Sequence, residues 1–377
     1  MSLYTTPLQF GYFLALLFAV LLWYRGWQEE RLSDKFLGFV MFFLGMEIQD
    51  YTFGFAGINI LWDDLFGFPR NFALAFAPTI YFYLKAQINR DFKFKTKHLL
   101  HYLPYFTYFL VNIVFFVQGR KAVEKFYTSE ITYWLSWLET LSIWASYVYY
   151  FYQSLRIYKE YRSWTETQFS DTESISFVWL RNFIYLIIVG EVFKFGWNIT
   201  DRLLGDLPYE KDWWWHLLTV LIICYVGIKG FAQYQPLRLA YSSKSLVQQE
   251  IIAENEGKPQ STLKENEYES MKPKIENIMQ ESKLYLEPEL SLSDLAMKLK
   301  TNSSVLSAAI NTNFGKNFND FVNEYRVEEF KKQVKLPENQ NYTLLAVAFD
   351  CGFNSKATFN RAFKKFTGQA PKAMKEN

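Results

Sequence analysis

The chain is poor in the residues that build disulfides, metal sites and nucleophilic centres. Its 377 residues include only two cysteines, Cys224 and Cys351, which cannot form a disulfide framework and show no metal-ligand spacing. The three histidines, His98, His101 and His216, all precede residue 232, and none of the 12 tryptophans lies beyond it. No glycine-rich phosphate loop, no His-Glu-x-x-His and no Gly-x-Ser-x-Gly occurs, so nucleotide cradling, zinc hydrolysis and serine-nucleophile chemistry lack their residues. The sequence therefore offers no catalytic residue, no metal site and no cofactor, and the expectation is a protein that is not an enzyme.

What is abundant is aromatic and apolar. Phe, Trp and Tyr make up 20% of the chain and half of all residues are hydrophobic, which excludes a disordered polymer. The near-zero mean hydropathy averages two unlike parts. Residues 1–232 carry 20 basic and 20 acidic residues, 233–287 carry 7 and 9, and 288–377 carry 13 and 9. Near-neutrality of the whole hides a basic C-terminal piece.

A bilayer core takes roughly 20 mostly apolar helical residues. Apolar runs at 8–24, 36–55, 72–84, 103–117, 131–152, 177–197 and 213–231 are candidate spans. The third is short and holds Pro78, so it either borrows from 66–71 or is kinked. The second contains Glu47 and Asp50. Seven spans is favoured over six. Connectors one, three and five hold 11 Lys and Arg against 6 in connectors two, four and six. The positive-inside rule then puts the N-terminus outside and the C-terminus in the cytoplasm. Trp213–Trp215 reads as an outer interfacial belt. The first run has no preceding positive charge and is followed by Arg25, Arg31 and Lys35, the reverse of a cleaved secretory signal. The expected fold class is all-α: residues 1–232 as a seven-helix transmembrane bundle, 233–283 as a cytoplasmic linker, and 284–377 as a DNA-binding domain.

In the linker, Pro236, Gly257-Lys258-Pro259, Pro273 and Pro288 punctuate polar sequence. Residues 245–254 and 271–281 are candidate short helices between breakers, the latter a solvated tether or a lid on the next domain, which is preferred over a coiled coil. Beyond it, Ser291-Leu-Ser-Asp294 is a capping-box pattern before Leu292, Leu295, Ala296 and Leu299. A second helix follows, with Leu306, Ala309 and Ile310 inward and Ser303, Ser304, Ser307 and Asn311 outward, ended by Gly315. Two short helices joined by a tight turn make a helix-turn-helix. The pattern recurs: Leu344–Ala348 and Cys351-Gly352 precede a helix capped by Ser355. There Phe359, Phe363 and Phe366 are inward, while Lys356, Asn360, Arg361, Lys364 and Lys365 are exposed. Ser303 is expected to cap the earlier helix as Ser355 caps this one.

The run from Ala346 to Pro371, with Gly352-Phe-Asn-Ser355 and Phe363-Lys-Lys-Phe-Thr-Gly368, resembles the signature of AraC/XylS-type transcription regulators. Residues 291–334, including Gly315-Lys-Asn-Phe318 and Tyr325-Arg-Val327, look like the first half of the same double helix-turn-helix domain. The resemblance covers about a quarter of the chain. It implies that both second helices enter successive major-groove segments of double-stranded DNA, that the protein is bacterial, and that it forms a homodimer. The sequence departs where the family has Tyr before a basic residue, carrying Met374-Lys375 instead, and its first recognition helix lacks Arg and Lys.

Physically the second helix is the stronger reader. Arg361 can make a bidentate pair to guanine, Asn360 can pair with adenine, and Lys356 sits on the first turn near base edges. Ser304, Ser307 and Asn311 offer weaker polar contacts, and Ser303, Ser355, Lys364 and Lys365 suit phosphate. A solvated face competes evenly with phosphate contact for Lys364. Cys351 reads as a small buried filler.

Within the candidate spans, ionisable groups are costly and default to function. Glu191 and Lys194, three apart, can neutralise each other along one helix, and that bland account ranks first. Glu139, without a charged neighbour in its span, is the sharper candidate for sensing. The expected protein is a multi-pass regulator of a bacterial cytoplasmic membrane. In it the bundle perceives a small-molecule or membrane signal and the tethered domain controls transcription. The alternative is a transporter or membrane enzyme whose C-terminal domain binds a protein partner, although the spans show no internal repeat.

Overall fold

The computed structural model of the chain describes residues 5–173, 175–204, 212–233, 241 and 261–374. Among them all regular structure is helical, apart from isolated bridge residues such as the pair Phe169 and Ser291. The chain divides into two compact units, Met1–Tyr158 with Val178–Ala240, and Lys159–Phe177 with Tyr241–Asn377.

The first unit holds α1 (Thr5–Gln28), α2 (Leu32–Phe55), α3 (Ala73–Ile88), α4 (Leu103–Val117), α5 (Arg120–Tyr127), the start of α6 (Glu130–Gln168), α7 (Val178–Leu204) and α8 (Trp213–Phe231). Each of the seven apolar runs falls on a helix to within one residue. By length and composition, three helical stretches could cross a membrane: Thr5–Gln28, Thr96–Val117 and Trp213–Phe231. The third run takes nothing from 66–71: α3 begins at Ala73 and continues through Pro78.

α1 buries its small residues and turns bulky aromatics outward. Its buried stripe is Leu8, Gly11, Ala15, Ala19, Leu22 and Gly26, mostly small. Phe13 and Trp27 stand outward, 65% and 75% exposed. Small residues let backbones approach closely. A Cβ on Gly11 would sit 2.5 Å from a methyl carbon of Val220 on α8. No residue of α4 is buried. At the α1–α2 turn, the buried Asp34 carboxylate accepts from Arg25 Nε at 2.6 Å, while Arg25 Nη1 donates to the Phe231 carbonyl at 2.6 Å.

The second unit contains α9 (Ser261–Glu281), α10 (Leu292–Lys298), α11 (Ser303–Phe314), α12 (Phe318–Gln333), α13 (Leu344–Asp350) and α14 (Lys356–Thr367). It has two apolar cores. The first joins α9, α10 and α11 with Phe318, Phe321 and Val322 of α12. The second joins Val327 and Phe330 of the same helix to α13 and α14. One helix thus serves as a wall of both.

Residues 271–281 are the apolar part of α9. Tyr268, Met271, Ile275 and Met279 are buried in the first core, so of the two accounts of this stretch the lid holds, and Pro273 lies inside the helix rather than ending it. Burial of a stripe at helical spacing outweighs the one backbone hydrogen bond that proline removes. Residues 245–254 lie outside the described residues.

Candidate nucleic-acid interface

Four helix starts fix the two helix-turn-helix pairs. Ser291 and Asp294 form a reciprocal capping box on α10. Thr343 Oγ1 accepts from Ala346 N at 3.1 Å on α13, and Ser355 Oγ accepts from Thr358 N at 3.1 Å on α14. The cap of α11 corrects the sequence expectation: it is Asn302, whose side-chain oxygen accepts from Val305 N at 2.8 Å. Ser303 is the first helical residue instead. Both residue types cap well, and the turn geometry selects the asparagine. α11 and α14 end at Gly315 and Gly368 in the left-handed conformation.

Along α11, Ser304 and Asn311 are exposed, and Ser303 and Ser307 are half-buried. Along α14, Lys356, Asn360, Arg361, Lys364 and Lys365 are exposed, and Ser355 is half-buried. The polar face expected from the sequence is therefore present on each helix. Its cations differ in freedom: Lys365 Nζ lies 2.6 Å from an Asp320 carboxylate oxygen. Lys356 and Lys364 make no ion pair among the described residues.

Arg361 is also engaged, by a segment that sequence reading treats as a connector. Residues 169–173, directly after α6, run along the domain. Ser170 N donates to the Leu290 carbonyl at 3.2 Å, and the Ser170 carbonyl accepts from Asn319 Nδ2 at 2.7 Å. Asp171 accepts from Asn354 Nδ2 at 3.1 Å and from Thr358 Oγ1 at 3.5 Å. Arg361 Nη2 donates to Thr172 Oγ1 at 3.4 Å, and its Nη1 lies 3.8 Å from a Glu173 carboxylate oxygen. Sequence reasoning missed Asp171, Thr172, Glu173, Asn354 and Thr358. The one available signal was two acids bracketing a threonine immediately after a long helix.

Arg326 of α12 is wholly buried at the centre of this arrangement. Its Nε donates to the Tyr285 carbonyl at 2.7 Å, and its Nη2 donates to the Glu287 carbonyl at 2.7 Å and to Ser170 Oγ at 3.1 Å. Burial pulls its guanidinium down to about 10, opposed by the Asp171 carboxylate, so it stays charged at neutral pH. Gly352 (φ +91°) packs so tightly that a Cβ there would lie 2.5 Å from the Tyr285 carbonyl oxygen. Burial raises the Cys351 thiol to about 12, which keeps it protonated and unreactive, as a filler should be.

The candidate sensing residues fall in the first unit and do not act as one group. Glu139 accepts from Asn71 Nδ2 at 3.1 Å and lines an apolar cavity with Tyr108 and Tyr127. Lys194 does not pair with Glu191, its neighbour in sequence: its Nζ lies 3.0 Å from Glu47 on α2. The Glu191 carboxylate has no hydrogen bond or ion pair among the described residues. Glu47, Glu191 and Lys194 line a second cavity of about 690 Å³.

Comparison with known proteins agrees with this geometry. Residues 295–377 match the family model described as a helix-turn-helix domain. Similar relatives include uncharacterized HTH-type transcriptional regulators of Staphylococcus aureus strains COL and MSSA476, each 32% identical over 99 residues. The match covers 26% of this chain and 13% of each relative. No solved structure matches. The C-terminal region of the chain is a helix-turn-helix domain of the AraC type.

Proposed function

We propose that this chain is a membrane-embedded, one-component transcription regulator. A seven-helix bundle with its N-terminus outside carries a cytoplasmic double helix-turn-helix domain that binds promoter DNA. Two features of the first unit support the membrane reading: the outward aromatic side chains of α1, and α4 with no buried residue.

The observation that carries the regulatory reading is the hold of residues 169–173 on α14. Asp171 stands at the first turn of that helix, where a DNA phosphate is expected because the exposed N–H groups and the helix dipole favour an anion. Thr172 and Glu173 take up Arg361, the side chain best suited to guanine. An acidic segment on the DNA-reading helix competes with DNA for the same groups. A signal in the bundle that draws 169–173 away would free Arg361 and shift the population toward the DNA-bound form.

The test is anisotropy of labelled DNA from the gene's own upstream region with the full chain in lipid nanodiscs. The Asp171→Asn, Glu173→Gln double variant is expected to bind about tenfold more tightly than wild type, since about 1.4 kcal/mol of competing interaction is removed. Affinity should fall as salt rises in both. Absence of binding by both proteins even at low salt defeats the DNA-binding reading, and equal affinity defeats the competition.

A further inference from the structure

We propose that the 690 Å³ cavity of the first unit is a binding site for a small organic cation, an amine or quaternary ammonium with an apolar body. This rests on the membrane-regulator reading for its biological role and on the cavity alone for its chemistry.

The argument starts from charge. Four carboxylates, Glu47, Asp50, Glu191 and Asp212, and two strong bases, Arg70 and Lys194, line the cavity. Both cations are already matched. Lys194 Nζ is 3.0 Å from Glu47, and Arg70 Nε donates to Asp50 at 2.9 Å. That leaves Glu191 and Asp212 without a direct ion pair among the described residues. Asp212 accepts only neutral donors, Tyr51 OH and Trp197 Nε1, each at 2.8 Å. Glu191 accepts nothing among the described residues. The cavity wall thus holds more carboxylates than cations, and among the described residues each of its cations is already ion-paired.

The remaining wall is aromatic. Four tryptophans line it, Trp137, Trp144, Trp197 and Trp215. Indole faces attract a cation through their ring quadrupole, most strongly when it is shielded from water. Lys194 already uses this attraction, its Nζ standing 5.4 Å from the Trp215 ring centre. An independent sign that the wall is incomplete comes from α8. His216 is 6% exposed, and its Nδ1 has no hydrogen-bond partner among the described residues. Buried polar atoms are normally satisfied, and this ring nitrogen can accept the N–H of a protonated amine. The volume lies within the range of pockets that enclose small molecules, roughly 300–1,000 Å³.

Two sources share this chemistry, a soluble ammonium compound and the ammonium headgroup of a lipid. The experiment uses the full chain in nanodiscs of phosphatidylglycerol, which lacks an ammonium group, titrated calorimetrically with benzyltrimethylammonium. Neopentylbenzene, its neutral carbon isostere, is the control. Saturable binding of the cation is expected, with the isostere at least about tenfold weaker. Glu191→Gln and Trp144→Leu are each expected to weaken the cation about tenfold, with melting temperature reporting whether each variant is folded. If cation and isostere bind alike, if neither binds, or if both folded variants bind as wild type, the proposal is overturned. Repeating the titration in phosphatidylcholine discs separates the sources: a loss of apparent affinity assigns the site to the lipid headgroup, and none assigns it to a soluble cation. DNA binding measured on the same discs keeps the two readings apart. Cation binding without DNA binding removes the regulator, and DNA binding without cation binding removes only the cavity's assignment.

Discussion

Glu329 shows how one side chain couples the DNA-binding domain to pH. Burial pushes its carboxyl upward, but donors from Gln333, Lys283 and Tyr285 more than offset this and hold it below its ordinary value. The distances are 2.9, 3.2 and 3.1 Å. A carboxyl depressed in the folded state adds stability that is fully present above its unfolded pKa, about 4.3, and is lost as pH falls through the folded value. Acidification across that window should therefore destabilise the domain less in Glu329→Gln than in wild type, as read from urea unfolding at a series of pH values. Equal pH slopes would refute the coupling. At this scale the sequence was legible where chemistry is exposed: Lys356, Asn360 and Arg361 stand on the polar side of a helix whose apolar side is Phe359 and Phe363. Arg326 was not legible in role. Its partners are carbonyls at 285 and 287 and a hydroxyl at 170, and no local pattern joins positions so far apart.

Among the elements, the two helix-turn-helix pairs could be read from their caps and stripes, because capping and helical periodicity are short-range. The exceptions were the start of α13, whose Thr343 cap was not named from the sequence, and the start of α11, where Asn302 and Ser303 compete for the cap and only the backbone decides. The N-cap conformation belongs to Asn302 (φ −98°, ψ 156°). Asn302→Ala should thus cost about 1 kcal/mol of domain stability, whereas Ser303→Ala should cost a few tenths at most. Chemical denaturation of the two variants measures this, and the reverse order would refute the assignment. α9 was harder because Pro273 speaks for a break, and the burial that overrides it comes chiefly from α11, which lies beyond the next helix.

For the whole molecule, the division into an aromatic, apolar front and a basic tail was legible from composition. The membership of residues 159–177 in the second unit was not, since their partners lie more than a hundred positions later. The proposed orientation puts both Asn377 and the 169–173 segment in the cytoplasm. A reporter active only in the cytoplasm should work when fused after Asn377 and fail when inserted between α4 and α5, in the connector assigned to the outside. Activity at both places, or at neither, contradicts seven crossings with this polarity.

Because α12 walls both cores, the two helix-turn-helix halves are tied to one helix. Under the proposed function, such a reader measures its operator like a fixed caliper. Inserting one base pair between the two contacted segments rotates one past the other by about a tenth of a turn. A DNA series with zero, one, five and ten added pairs should therefore lose binding at one and at five. At ten, facing is restored but the reach is too long, so binding should stay weak.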